Sequence, residues 1–149
     1  MEYKETILVV DDESMLRAVF SDMLASGGYR CVVAANALDA LRLIEANLVA
    51  FDMLVTDIVM PGELNGLDLA IALHERQSDV AILLITGYAE SPIKKEAEAR
   101  GYRILDKPFR QATLEAVIAE ELAKRRAEKA EGSGSVVSLD RARQKREGH

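Results

Sequence analysis

Asp11 and Asp12, Asp57, Thr86 and Lys107 each close or directly follow a short apolar run. Residues 7–10 lead to the acid pair, with Glu13 next, and residues 53–55 lead to Asp57. Residues 80–85 lead to Thr86, and residues 104–105 to Lys107 and Pro108. If these run ends meet, three carboxylates share one small site. Two ionised carboxylates 4 Å apart repel by about 4 kcal/mol at an effective dielectric of ~20. Such a cluster either holds a proton or binds a cation. Carboxylates, a backbone carbonyl and water are hard oxygen ligands, which suit Mg²⁺. Lys107 adds a fixed positive charge and Thr86 a hydroxyl donor. A carboxylate there can attack phosphorus while the cation and the lysine offset the developing charge.

Taken singly, each residue has a plainer reading. Asp12 can cap a helix, Asp57 can cap a loop, Thr86 suits any strand end, Lys107 suits any surface, and Pro108 marks a turn. Only convergence at one edge makes them a site, and that depends on the elements carrying them. The apolar runs 7–10, 31–34, 53–55, 80–85 and 104–105 are continuous rather than alternating, as in strands buried on both faces of a parallel sheet. Helical stripes lie between them. Met15, Leu16, Val19, Phe20, Met23 and Leu24 form the first, with a stop at Gly27-Gly28. Ala37, Ala40, Leu41, Ile44 and Leu48 form the second. A third starts near Asn65-Gly66, and Leu114, Val117, Ile118 and Leu122 mark the last. The segment 91–100 offers only Ile93 and Ala97 to a core, so it is expected to be the least stable helix. Five alternations of strand and helix predict an α/β fold, a doubly wound (βα)5 five-stranded parallel sheet with right-handed crossovers. Ligands of such sheets bind at the carboxyl ends of the strands.

The 149 residues carry a formal net charge of −6, with 49% apolar and 30% charged residues. That excludes a general pull toward nucleic acid or anionic lipid. No apolar run is long enough for a membrane span, and the N-terminus lacks the order of a signal peptide, so a cytoplasmic protein is expected. The single cysteine, Cys31, allows no internal disulfide and no thiolate cluster. The apolar pattern fades from Lys124. Residues 1–125 are therefore expected to form the domain. Residues 126–149, with Gly132-Ser133-Gly134-Ser135 and a basic end, are expected to form a disordered tail. Nothing there could form a helix-turn-helix, so no direct DNA binding is expected.

In order and interval, Asp11-Asp12, Asp57, Thr86 and Lys107-Pro108-Phe109 resemble the response-regulator receiver family. The surrounding text agrees: Ile7-Leu8-Val9-Val10-Asp11-Asp12-Glu13, Asp57-Ile58-Val59-Met60-Pro61-Gly62 and Ile85-Thr86-Gly87-Tyr88. The resemblance covers about residues 5–125. It implies a flavodoxin-like receiver fold, with Asp57 as phosphoacceptor and Mg²⁺ held by Asp11, Asp12, Asp57 and the carbonyl of Val59. It implies that Thr86 and Lys107 bind the phosphoryl group and that the Lys107–Pro108 peptide is cis. The implied partners are a sensor histidine kinase or histidine phosphotransfer protein, and a downstream protein met by the fourth helix, fifth strand and fifth helix. A monomer or weak dimer is expected, acting as a signalling switch rather than a metabolic enzyme.

Three departures from the family pattern stand out. The loop 61–66 is one residue longer than the common form. The switch aromatic three residues before the lysine is replaced by Ile104, and Tyr102 does not substitute for it. Val59 and Tyr88, which flank the site and tune hydrolysis in the family, include an apolar Val59 that cannot orient water, so slow self-dephosphorylation is expected. Three alternatives remain at this point. A haloacid-dehalogenase-type hydrolase would need an Asp where Val59 stands. A flavin-binding protein would need a phosphate loop after the first strand. A phosphorylation-independent binding module is left open by Ile104.

Overall fold

The computed structural model describes residues 3–87 and 91–145, with residues 132–145 described by backbone alone. Five strands alternate with five helices: β1 (Thr6–Val10), α1 (Ser14–Ser26), β2 (Arg30–Ala34), α2 (Ala37–Ala46), β3 (Met53–Asp57), α3 (Gly66–Arg76), β4 (Ala81–Thr86), α4 (Pro92–Ala99), β5 (Arg103–Asp106) and α5 (Gln111–Lys145). All pairings are parallel, in the order β2-β1-β3-β4-β5. This is the doubly wound sheet that the alternation predicts, in the flavodoxin-like receiver order that the resemblance implies.

The continuous apolar runs serve two cores at once, because successive strand residues face opposite sides. Leu8, Val10, Leu54, Ile82 and Leu84 pack with Ile44, Leu69, Leu73 and Ala97 on one side. Ile7, Val9, Met53, Val55, Leu83 and Ile85 pack with Phe20, Leu24, Ile118 and Leu122 on the other. The helix starts are set by side chains. Asn36 accepts from the Asp39 N–H at 2.8 Å, and Ser91 accepts from Lys94 N–H at 3.0 Å with Pro92 following it. Asn65 and Asp68 cap α3 reciprocally, at 2.8 and 2.9 Å.

Some expectations are corrected. The outer strand β2 is not buried on both faces: Arg30 and Val33 are exposed, and only Ala34 is fully buried. Leu48 lies beyond the end of α2 and is 87% exposed, so it does not belong to that helix's stripe. Met15 and Val19 are also exposed, so only Phe20, Met23 and Leu24 of the first stripe are fully buried. The stripe on α1 is wider than its contact with the core, where Leu16 packs only partly buried beside those three.

The backbone of the last helix is helical to Lys145. Arg126 makes two bonds to Glu5, at 2.5 and 2.7 Å, and Lys129 lies 3.4 Å from Asp79. Arg125, nearly buried, meets both Asp52 and Asp79. Charged residues, which carry no apolar periodicity, thus anchor this part of α5. The good helix formers Ala127, Glu128, Lys129, Ala130 and Glu131 extend it. No helix among the described residues is long and apolar enough to cross a membrane.

Candidate functional site

Strand register brings the sequence-predicted residues together. Val10 pairs with Thr56, so Asp11 and Asp57 sit at the same level one step further along adjacent strands. Asp57 pairs with Ile85, and Thr86 with Asp106, which places Lys107 immediately beyond the rim. The carboxylates of Asp11, Asp12 and Asp57 each offer an oxygen, and these oxygens all lie within 4.8 Å of one another. Lys107 Nζ donates to Asp57 Oδ2 at 2.7 Å, and Lys107 N–H donates to the Thr86 carbonyl at 2.7 Å. The Lys107–Pro108 peptide is cis. Asp11, Asp57 and Thr86 are all buried, whereas Asp12 is exposed. The N-cap of α1 is Glu13, so Asp12 does not cap that helix. Val59 is half-exposed, and its N–H reaches Asp57 Oδ1 only at 3.4 Å.

Ile104 is partly buried against the core on the α4 side, packed near Tyr102. Tyr102 precedes Arg103, the partner of Leu83, so it lies three to four residues down the sheet from Thr86, about 10–13 Å away. Its ring instead neighbours His74, with centroids 6.1 Å apart. Tyr88 lies outside the described residues.

The electrostatics favour a cation. Burial raises the Asp11 carboxyl above its ordinary value, and the Glu13 N–H on its Oδ1, at 2.8 Å, opposes that shift. Asp57 and Asp12 push it further up, while Lys107 pulls it down. On Lys107, burial works against the charge. The hydrogen bond and charge of Asp57, with Asp11 and Glu13 behind it, outweigh burial and hold the ammonium above the usual lysine range. One lysine thus faces three acids, and the donor set is all oxygen, which fits a hard divalent ion. Among the described residues, this is the one group of three metal-ligating side chains.

A consequence follows for the metal-free protein. A raised carboxyl holds its proton more tightly folded than unfolded, so ionising Asp11 costs stability as pH climbs above the ordinary aspartate range. Asp11→Asn keeps the acceptor for Glu13 N–H and removes that charge. In EDTA at pH 7 it should raise Tm. The gain should shrink as pH falls below the ordinary aspartate range, where the Asp11 carboxyl is protonated in folded and unfolded chains alike; a gain that persists there unchanged would contradict this account of the site.

Sequence reasoning missed three contributors. Gly66, the first residue of α3, packs so close to β3 that a Cβ there would lie 2.1 Å from the Asp57 carbonyl oxygen. A glycine directly after a helix cap, where Ala would be the better helix former, is the signal that could have found it. Arg17 Nη1 donates to the Asp11 carbonyl at 2.6 Å. Lys94, largely buried, pairs with Asp106 at 3.1 Å, joining α4 to the end of β5. Neither pair has a local sequence signature, since each depends on how a helix lies against the sheet.

The model of the response regulator receiver domain matches residues 7–119. The DNA-binding transcriptional regulator NtrC of Rhizobium meliloti is 35% identical over 129 residues, covering 85% of this chain and 26% of that protein. The response regulator receiver protein CpdR of Brucella abortus is 33% identical over 104 residues, 69% of this chain and 84% of that protein. The chain therefore spans about a quarter of the first relative and most of the second. A CheY-like response regulator receiver domain protein from Methanospirillum hungatei has a similar crystal structure, with a TM-score of 0.76 and 26% identity. The match covers 83% of this chain and 98% of that one.

Proposed function

The chain belongs to the response regulator receiver domain family, and from that premise we propose that it is a switch that accepts a phosphoryl group on Asp57. The observation that carries this reading is the 2.7 Å bond from Lys107 to Asp57 beside Asp11 and Asp12. Receiver domains pair with histidine kinases, so the donor is a phosphohistidine on a sensor kinase or a phosphotransfer protein. An Asp57 oxygen attacks phosphorus, the P–N bond breaks, and the imidazole leaves with the electron pair and takes up a proton. Asp11, Asp12, Asp57 and the Val59 carbonyl would hold Mg²⁺, and the bound ion would supply charge neutralisation for the transferring group. Lys107 stays charged throughout and turns from the carboxylate toward the new phosphoryl oxygens. Thr86 supplies a hydroxyl donor to the same group.

The product carries about −1.5 to −2 charges at one rim. Thr86 pairs with Asp106 across β4 and β5, and Asp106 holds Lys94 of α4. Movement of Thr86 toward the phosphoryl group thus reaches α4 through an ion pair, where Ile104 offers no ring to swing. The α4-β5-α5 face, laced by Arg103 with Glu120 and Glu121 at 3.1 Å, is then the surface read by a downstream protein. Coupling of this kind is a population shift of about 1–3 kcal/mol.

Incubation with acetyl phosphate and Mg²⁺, followed by intact mass and peptide mapping, tests the reading. One phosphoryl group should appear on the peptide containing Asp57 and be absent in EDTA. Labelling elsewhere, or labelling indifferent to EDTA, would refute it. The lifetime of the label should be long, because Val59 presents only hydrocarbon beside Asp57. Val59→Asn should shorten it about tenfold or more; equal decay of the two proteins would count against a role for this position.

A further inference from the structure

We infer that Arg17 is a positioning residue for the metal site, fixing where Asp12 presents its carboxylate; this rests on the function proposed above. Asp11 is pinned at three points. Its N–H donates to the Ala34 carbonyl at 3.2 Å, its Oδ1 accepts from Glu13 N–H at 2.8 Å, and its carbonyl accepts from Arg17 Nη1 at 2.6 Å. The Asp11 carbonyl and the Asp12 N–H and Cα belong to one planar peptide unit. Holding that carbonyl therefore sets the point from which the Asp12 side chain departs.

Asp12 needs such help more than its neighbours. Asp57 is bound by Lys107 and lies within β3, and Asp11 is almost fully buried, but Asp12 is exposed and lies between β1 and α1. That turn lacks the usual restraint of a capped helix. Glu13 at the N-cap of α1 makes no side-chain cap bond, and the first turn holds no acid. Arg17 sits one turn into α1, where its own N–H bonds the Glu13 carbonyl at 3.1 Å, so its guanidinium reaches back from a rigid base. A charge-assisted bond to a carbonyl is stronger and more directional than a neutral one.

The sign of the effect separates positioning from electrostatics. Removing a nearby positive charge by itself strengthens cation binding. Loss of a positioning bond weakens it, typically about tenfold or more for partners behind the ligands. The test is a Mg²⁺ titration of the full chain without any phosphodonor, followed by the amide NMR signals of Asp12 and Glu13, with Tm in EDTA recorded for each variant. Arg17→Met, which keeps the stem and loses the donor, should raise the Mg²⁺ Kd about tenfold. Arg17→Lys, which keeps one donor and the charge, should recover part of it at similar Tm. Mg²⁺ binding by Arg17→Met equal to or tighter than wild type overturns the inference. So does a loss that the lysine variant shares in full, the mark of a merely structural role. A wild type without saturable Mg²⁺ shifts overturns the proposed function itself, and this inference with it.

Discussion

Lys107→Met protein is expected to accept phosphoryl groups from acetyl phosphate at least about a hundred times more slowly than wild type, while binding Mg²⁺ about ten times more tightly. The two effects have opposite signs because the lysine plays opposite parts before and during transfer. In the resting site its ammonium lies 2.7 Å from Asp57 and competes with a divalent ion for the same carboxylates. Coulomb's law gives about 4 kcal/mol for two unit charges 4 Å apart at an effective dielectric of ~20. Rearrangement of a half-buried, flexible side chain leaves about a third of that, ~1.4 kcal/mol, or tenfold. In the transition state negative charge gathers on the phosphoryl oxygens. Losing one well-placed donor to such charge costs about 10²–10³ in rate. Mg²⁺ titration and labelling rate, measured on one preparation, check both halves. A variant that binds Mg²⁺ more weakly would mean that Lys107 organises the acids rather than competing for them.

Gly66→Ala is expected to lower Tm by ~10 °C or more, and to slow phosphorylation although residue 66 carries no reactive group. A Cβ at this position would stand 2.1 Å from the Asp57 carbonyl oxygen and 2.9 Å from the Ile58 Cα, both main-chain atoms that no rotamer change can clear. The Gly66 N–H also donates to the Ile58 carbonyl at 2.8 Å, so α3 is hydrogen-bonded to the loop that leaves Asp57. Either α3 retreats from the sheet or Asp57 shifts. Overpacking of this kind costs about 3 kcal/mol, and each kcal/mol is worth about 4 °C in a domain of this size. Gly62→Ala is the control. Its φ of +107° penalises a side chain, but nothing lies within 4 Å, so only about 1 kcal/mol is at stake. Thermal melts of both variants in EDTA decide the matter; a Gly66→Ala protein with the wild-type Tm would show that the approach of α3 to β3 is softer than its geometry.

The acid pair, Asp57, Thr86 and Lys107 are legible in the sequence because each follows an apolar run that parallel pairing forces into register. The inner strands β1, β3 and β4 are legible for the same reason: burial on both faces leaves nothing but hydrocarbon to read. The outer strand β2 was overestimated, since an edge position spares it that burial and an apolar run alone does not show it. The apolar periodicity of α1 likewise suggests one buried stripe, although Met15 and Val19 are exposed. The α5 anchor was missed altogether. Nothing in the local pattern shows that Arg125 and Arg126 meet Asp52, Asp79 and Glu5.

The sequence by itself determined the class of fold and which polar groups end the apolar runs, because hydrophobic periodicity and residue chemistry are local properties. Only the tertiary structure decided how those groups are held. Lys107 reaches across 50 residues to Asp57, Arg17 grips the carbonyl of Asp11, and α3 presses its glycine onto the main chain of Asp57. Each of these contacts depends on where one element lies against another. That placement follows from the packing of two cores on a twisted sheet, and no single stretch of the chain contains it.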